Sequence, residues 1–111
     1  MTQNYPVFIH WYKTLNWILS KVDTFPRNIK FTLGDRIVTL AFEILERIIE
    51  AIYKKERIFI LDEINLCLEK QRILFRISHD RKYLSHRQYE YIIKEINTTG
   101  QMIGGWRKQN T

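Results

Sequence analysis

One cysteine, Cys67, stands alone in 111 residues. It excludes an intrachain disulfide and any cysteine-rich metal site. Prolines number two and glycines four, so the chain has few places to break and favours long helices over many short strands. No window approaches the ~18 consecutive apolar residues of a membrane span. The opening Met1-Thr2-Gln3-Asn4-Tyr5-Pro6 has neither the basic stretch nor the apolar run of a signal peptide. A cytoplasmic protein with no membrane partner is expected. The three histidines, His10, His79 and His86, are far apart and lack cysteine or carboxylate partners at metal-ligand spacing. P-loop, GxSxG and HExxH patterns are missing as well. The expectation is therefore no catalytic residue, no metal and no cofactor: a protein that is not an enzyme.

What is present points to helices. A length of 111 residues suits one domain, and 45% hydrophobic against 27% charged residues is an ordinary globular balance. Pro6 suits a first helical position, and Phe8, Trp11, Tyr12, Leu15, Ile18, Leu19 and Val22 follow at the 3–4 spacing of one helical face. Phe25-Pro26 stops that helix, because a residue before proline is pushed out of the α region. Lys54-Lys55-Glu56-Arg57 reads as a tight turn and His79–Leu84 as the next joint, with Ser85 as an N-cap. The inner face of the third helix carries Ile60, Ile64, Leu68 and Phe75. The fourth carries Tyr89, Ile92, Ile96, Thr99, Ile103 and Trp106. The spacing predicts helices over about 6–22, 29–54, 57–79 and 85–108. Joints this short make neighbours antiparallel, so an all-α, up-down-up-down four-helix bundle in a single domain is expected.

Two helices carry more apolar surface than one bundle uses. On the second, Ile37, Leu40, Ala41, Ile44, Ile48 and Ile52 form one side, and Val38, Phe42, Leu45, Ile49 and Tyr53 extend the apolar arc to roughly 220°. The third has Phe59, Leu66, Ile73 and Ile77 opposite its core face. Such rows predict subunit interfaces; the alternative is that a kinked or rotated helix buries them internally. The remaining strip of the second helix, including Glu43 and Arg47 at i,i+4, reads as a self-paired solvated face. Asp35, beside Gly34, is expected in a buried pair with an arginine.

The net charge is +6, a sign that favours nucleic acid or an acidic protein surface. Between Lys70 and Arg87 six cations (Lys70, Arg72, Arg76, Arg81, Lys82, Arg87) face Asp80 alone. Arg72 and Arg76 share a helical face, suited to phosphates or to an acidic partner. Arg87, Lys94 and Lys108 form a seven-residue row on the fourth helix. Both patterns also occur on solvated helix faces. Gly100, Gly104 and Gly105 lie within that helix, either for close backbone approach or to loosen its last turns.

Specific strings then matter together. Phe25-Pro26-Arg27-Asn28 with Thr32-Leu33-Gly34-Asp35-Arg36-Ile37, Leu68-Glu69-Lys70-Gln71-Arg72-Ile73-Leu74-Phe75-Arg76, Ser85-His86-Arg87-Gln88-Tyr89-Glu90 and Ile103-Gly104-Gly105-Trp106 resemble segments of the accessory variability determinant (Avd) family of diversity-generating retroelements. That family consists of four-helix-bundle proteins related to the 23S rRNA intervening-sequence proteins. The resemblance covers about Phe25 to Lys108. It implies a homopentameric barrel that binds the element's reverse transcriptase and nucleic acid (RNA or DNA, without sequence specificity), in support of mutagenic reverse transcription. It places that binding role on Arg72 and Arg76. The related intervening-sequence branch implies instead a structural, self-assembling bundle with no nucleic-acid role.

Overall fold

The computed structural model describes residues 2–111. Among them are four long helices and no strand: α1 (Pro6–Val22), α2 (Asp35–Tyr53), α3 (Ile58–Asp80) and α4 (His86–Gln109). A 3-10 turn (Thr2–Asn4) precedes α1. A helical turn (Arg27–Ile29) and a π-helical stretch (Lys30–Gly34) lead into α2, so the chain turns helical directly after Pro26. Each helix packs on its sequence neighbours and α4 closes back on α1, which makes a square, antiparallel bundle.

The core follows the 3–4 spacing. Trp11, Ile18, Ile37, Ile44, Ile48, Leu61, Ile64, Leu68, Phe75, Ile92, Ile96 and Ile103 are fully buried. Two polar contacts set how the helices align along their axes. Trp11 Nε1 donates to the Ala41 carbonyl at 2.9 Å, and the buried Gln71 Nε2 donates to the Ile37 carbonyl at 3.1 Å. Gly34 is needed for the α1–α2 approach: a Cβ there would stand 2.9 Å from Val22 Cγ1. A Cβ at Gly100 would meet the tip of Arg72 (Nη2) at 3.2 Å and Leu68 Cδ1 at 3.9 Å, whereas Gly104 and Gly105 have nothing within 4 Å. The α2–α3 turn is clasped by Arg57, whose guanidinium donates to the Lys54 carbonyl and lies over the Trp106 ring at 5.2 Å.

Three expectations need correction. Tyr12, placed on the core face by spacing, is exposed, because it lies at the edge of the α1 stripe on the side toward α2. Asp35 is exposed rather than buried with an arginine, because it begins the regular α2 at the rim of a groove. Arg47 does not stay on a self-contained strip. It pairs with Glu43 at 3.5 Å and also crosses to Glu63 of α3 at 2.9 Å.

Both ends of α4 and the end of α3 are capped. Ser85 and Gln88 form a reciprocal capping box. At the end of α3, Tyr83 N–H reaches the Ser78 carbonyl at 2.8 Å and Lys82 N–H the His79 carbonyl at 2.9 Å. This bonding places Lys82 at φ 66, where helices ordinarily end on glycine. An L side chain there costs about 1–2 kcal/mol, partly offset by the unfolded-state entropy that glycine would add. Lys82→Gly is expected to raise the urea midpoint by an amount equivalent to about 0.5–1 kcal/mol; a lowered midpoint would contradict this account of the turn.

Candidate nucleic-acid and partner interfaces

The helices distribute the basic residues unevenly between solvent and internal contacts. Arg72, with its side chain 28% exposed, donates from Nε to Asn97 Oδ1 at 2.9 Å and from Nη1 to Glu69 Oε1 at 3.0 Å. It therefore ties α3 to α4. Arg76, one turn on, is 69% exposed and only 3.9 Å from Asp80 at its nearest. The two arginines share a helix face but not a state: one is held by the fold and one is open to a ligand. Arg107, not singled out by the sequence, pairs with Asp62 through Nε at 2.6 Å. That hydrogen bond holds the Asp62 carboxyl below its usual range.

Lys70 is exposed at the rim of a groove of about 720 Å³ between α2 and α3, beside Ile73 and Glu69. Arg81, Lys82 and Arg87 are exposed at the α3–α4 joint. Phe25 and Tyr83, with ring centroids 5.8 Å apart, bring the α1–α2 connection to the same end of the bundle. Arg27 and Lys30 thereby join the cluster. Arg27, Lys30, Arg76, Arg81, Lys82 and Arg87 all lie toward this end of the bundle, where Asp23 stands 3.8 Å from Lys30 and Asp80 3.9 Å from Arg76. Arg27 and Lys30 were not legible as part of this site, being some fifty residues away in sequence. Lys94 and Lys108 are exposed farther along α4, away from this end.

His79 stacks on Tyr89 with centroids 4.4 Å apart, and its Nε2 is 3.5 Å from His86 Nδ1. No group of three potential metal ligands occurs among the described residues. Cys67 is buried, and burial pushes its thiol pKa up, which suits packing rather than reactivity.

The apolar rows divide as well. Phe59 (73% exposed), Leu66 (57%), Ile73 (47%) and Ile77 (42%) all remain on the outside of α3. On α2, Phe42 and Tyr53 are exposed and Ile49 is half-buried, but Val38 and Leu45 pack against the core of their own bundle. The reason is angular: Val38 and Leu45 sit nearer the α1 seam than Phe42 does. Tyr53 accepts a hydrogen bond from Thr2 Oγ1 at 3.1 Å. The two exposed apolar faces are thus different: one along the α1–α2 side (Tyr12, Phe42, Tyr53), the other on the back of α3.

A family model described as bAvd-like matches residues 7–110, all four helices included. The chain belongs to the bAvd-like family. Such Avd-type proteins are generally non-catalytic accessory proteins, and no helix among the described residues is long and apolar enough to cross a membrane. No curated protein and no solved structure matches the chain.

Proposed function

We propose that this bAvd-like chain is a non-enzymatic accessory protein of a diversity-generating retroelement. It binds the reverse transcriptase and nucleic acid through basic surfaces and supports mutagenic reverse transcription. The observation that carries this reading is the cluster at the α3–α4 end of the bundle. There Arg76, Arg81 and Lys82 stand in solvent, and Lys82 has φ 66, a left-handed conformation that costs an L side chain energy. A long cation kept at a conformational cost is consistent with use of its charge. Arg27, Lys30 and Arg87 add to the same field. Lys70, Lys94 and Lys108 extend the basic surface along α3 and α4, while Arg72 contributes by holding α4 beside it.

The apolar faces support assembly. Two unlike faces on one protomer associate head to tail and generate a ring when the rotation closes. We assign Phe59, Leu66, Ile73 and Ile77 to one side of that contact and Phe42, Ile49 and Tyr53 to the other, with five subunits as in the Avd barrel. The exposed α3 row also favours a second reading, a self-assembling structural bundle with no nucleic-acid role.

Titrating a fluorescent 20-nucleotide RNA at several salt concentrations separates the two readings. Binding through these cations is expected to weaken linearly in log–log form, with a slope of about −0.7 for each phosphate contact on a single strand. Arg76→Glu with Arg81→Glu and Lys82→Glu should lower affinity at least about tenfold with unchanged helical content. A wild-type protein that assembles but binds no RNA at low salt would leave the structural reading standing.

A further inference from the structure

The face between α1 and α4 carries neither apolar row, and its composition is unusual. α1 has no acidic residue from Pro6 to Val22. The alignment across this seam is set by two contacts. His10 Nε2 lies 3.1 Å from the Glu95 carbonyl and 3.2 Å from the Glu95 carboxylate, and the Trp17 and Tyr91 rings are 5.1 Å apart. In antiparallel helices with that alignment, Lys13 stands level with Lys94 and Lys21 level with Arg87. Along the bundle axis this side therefore carries Lys13 and Lys94 at one height, the Trp17 and Tyr91 rings at the next, and Lys21 and Arg87 at a third. Four residues separate successive heights on α1, so the cation pairs lie about 12 Å apart along the axis with the rings midway.

The charges on this side are not neutralised from within. Lys13, Arg87 and Lys94 are exposed, and no carboxylate lies within 4.0 Å of any of the four cations among the described residues. Lys21 instead lies over the Trp17 ring at 5.6 Å. The neighbouring carboxylates are engaged elsewhere, Glu95 with His10 and Glu90 with His86 at 3.0 Å. Trp17 and Tyr91 are half-buried, so part of each ring remains at the surface.

We infer that this seam is a binding site for single-stranded nucleic acid, the phosphates resting on the two cation pairs and a base stacking at Trp17 and Tyr91. The inference rests on the nucleic-acid half of the proposed function and names a surface and a ligand form for it. Cations alone would serve a duplex or an acidic protein equally well. Aromatic rings between them favour unpaired bases, whose faces are free to stack, over a duplex, whose faces are already covered. In an assembly built through the α1–α2 face and the back of α3, this seam also stays open to solvent.

The test uses the full chain and three fluorescent probes of matched charge: a 12-nucleotide oligouridine, an RNA duplex and an acidic peptide. Wild-type protein is expected to prefer the oligouridine. Trp17→Leu with Tyr91→Leu should weaken it about tenfold and the duplex little. Trp17→Phe with Tyr91→Phe, which keeps the rings, should restore most of the affinity and guards against a folding artefact. Lys13→Glu with Lys94→Glu should weaken every anionic probe that uses the seam. If the oligouridine binds but none of these variants changes its affinity, the seam is not the site, while the bundle-end site stands. If duplex or acidic peptide binds as well as the single strand and the leucine variants have no effect, the stacking claim is overturned. Absence of RNA binding by the wild-type chain overturns this inference together with the nucleic-acid reading beneath it.

Discussion

Leu66→Asp combined with Ile73→Asp is expected to break the assembled protein into folded monomers. Both side chains lie about half-exposed on the back of α3, at 57% and 47%, so replacing them leaves the bundle's own core intact. In a subunit contact, each carboxylate would be buried without a partner, at a cost of several kcal/mol. Assembly should therefore weaken at least about 100-fold, equivalent to ~3 kcal/mol. Sedimentation velocity over a range of concentrations measures it, with circular dichroism to show that the helices persist. A sharper version exploits the inequality of the two faces. Phe42→Asp with Tyr53→Asp blocks the other side and should also give monomers. Mixing the two blocked proteins should then give one-to-one dimers and nothing larger, since only one intact pair of faces remains. Wild-type protein that is monomeric throughout, or blocked variants that still assemble, would remove the proposed ring.

Trp11→Ala is expected to be the most damaging single substitution in stability. The indole is fully buried at the centre of α1, and its N–H is the hydrogen bond that fixes α1 along α2 through the Ala41 carbonyl. Removing a buried tryptophan costs about 3–5 kcal/mol, a large share of the ~5–15 kcal/mol that holds a domain of this size. Urea unfolding followed by circular dichroism should show a strongly lowered midpoint. Trp11→Phe, which fills much of the space but lacks the donor, should lose less than half as much. Equal losses would mean that the hydrogen bond, not packing, dominates.

The legible part of this protein was the part written in local periodicity. Ile60, Ile64, Leu68 and Phe75 recur at helical spacing and all four are buried, because a helix turns its 3–4 neighbours to one side whatever surrounds it. Ser85 could be read as a cap because capping needs only the next three residues. Tyr12, which is exposed, and Val38, half-buried against its own core, depart from the spacing for a related reason. Spacing finds a stripe but not its edges, and the edge is decided by how closely the neighbouring helix approaches.

The candidate sites were less readable, since a sequence counts charges without saying which are already engaged. Arg72 and Arg76 are equivalent in the chain, yet Asn97 and Glu69 take up the first, while the second keeps only a long, exposed contact to Asp80 at 3.9 Å. That difference depends on where Asn97 of α4 meets α3, and no property of either arginine reveals it. Arg27 joining Arg81, and Trp17 meeting Tyr91, likewise depend on helix ends and faces that only the closed bundle brings together.

Four amphipathic helices, short joints, an excess of apolar faces and the strings shared with an accessory-protein family are written in the order of residues alone. These follow from backbone geometry repeated every few residues. Which cations remain available, which apolar residues stay outside, and which side of α4 meets the acid-free α1 emerge only in the closed bundle. Those outcomes are set by contacts between residues far apart in the chain, and the antiparallel closure of the bundle is what brings them within reach.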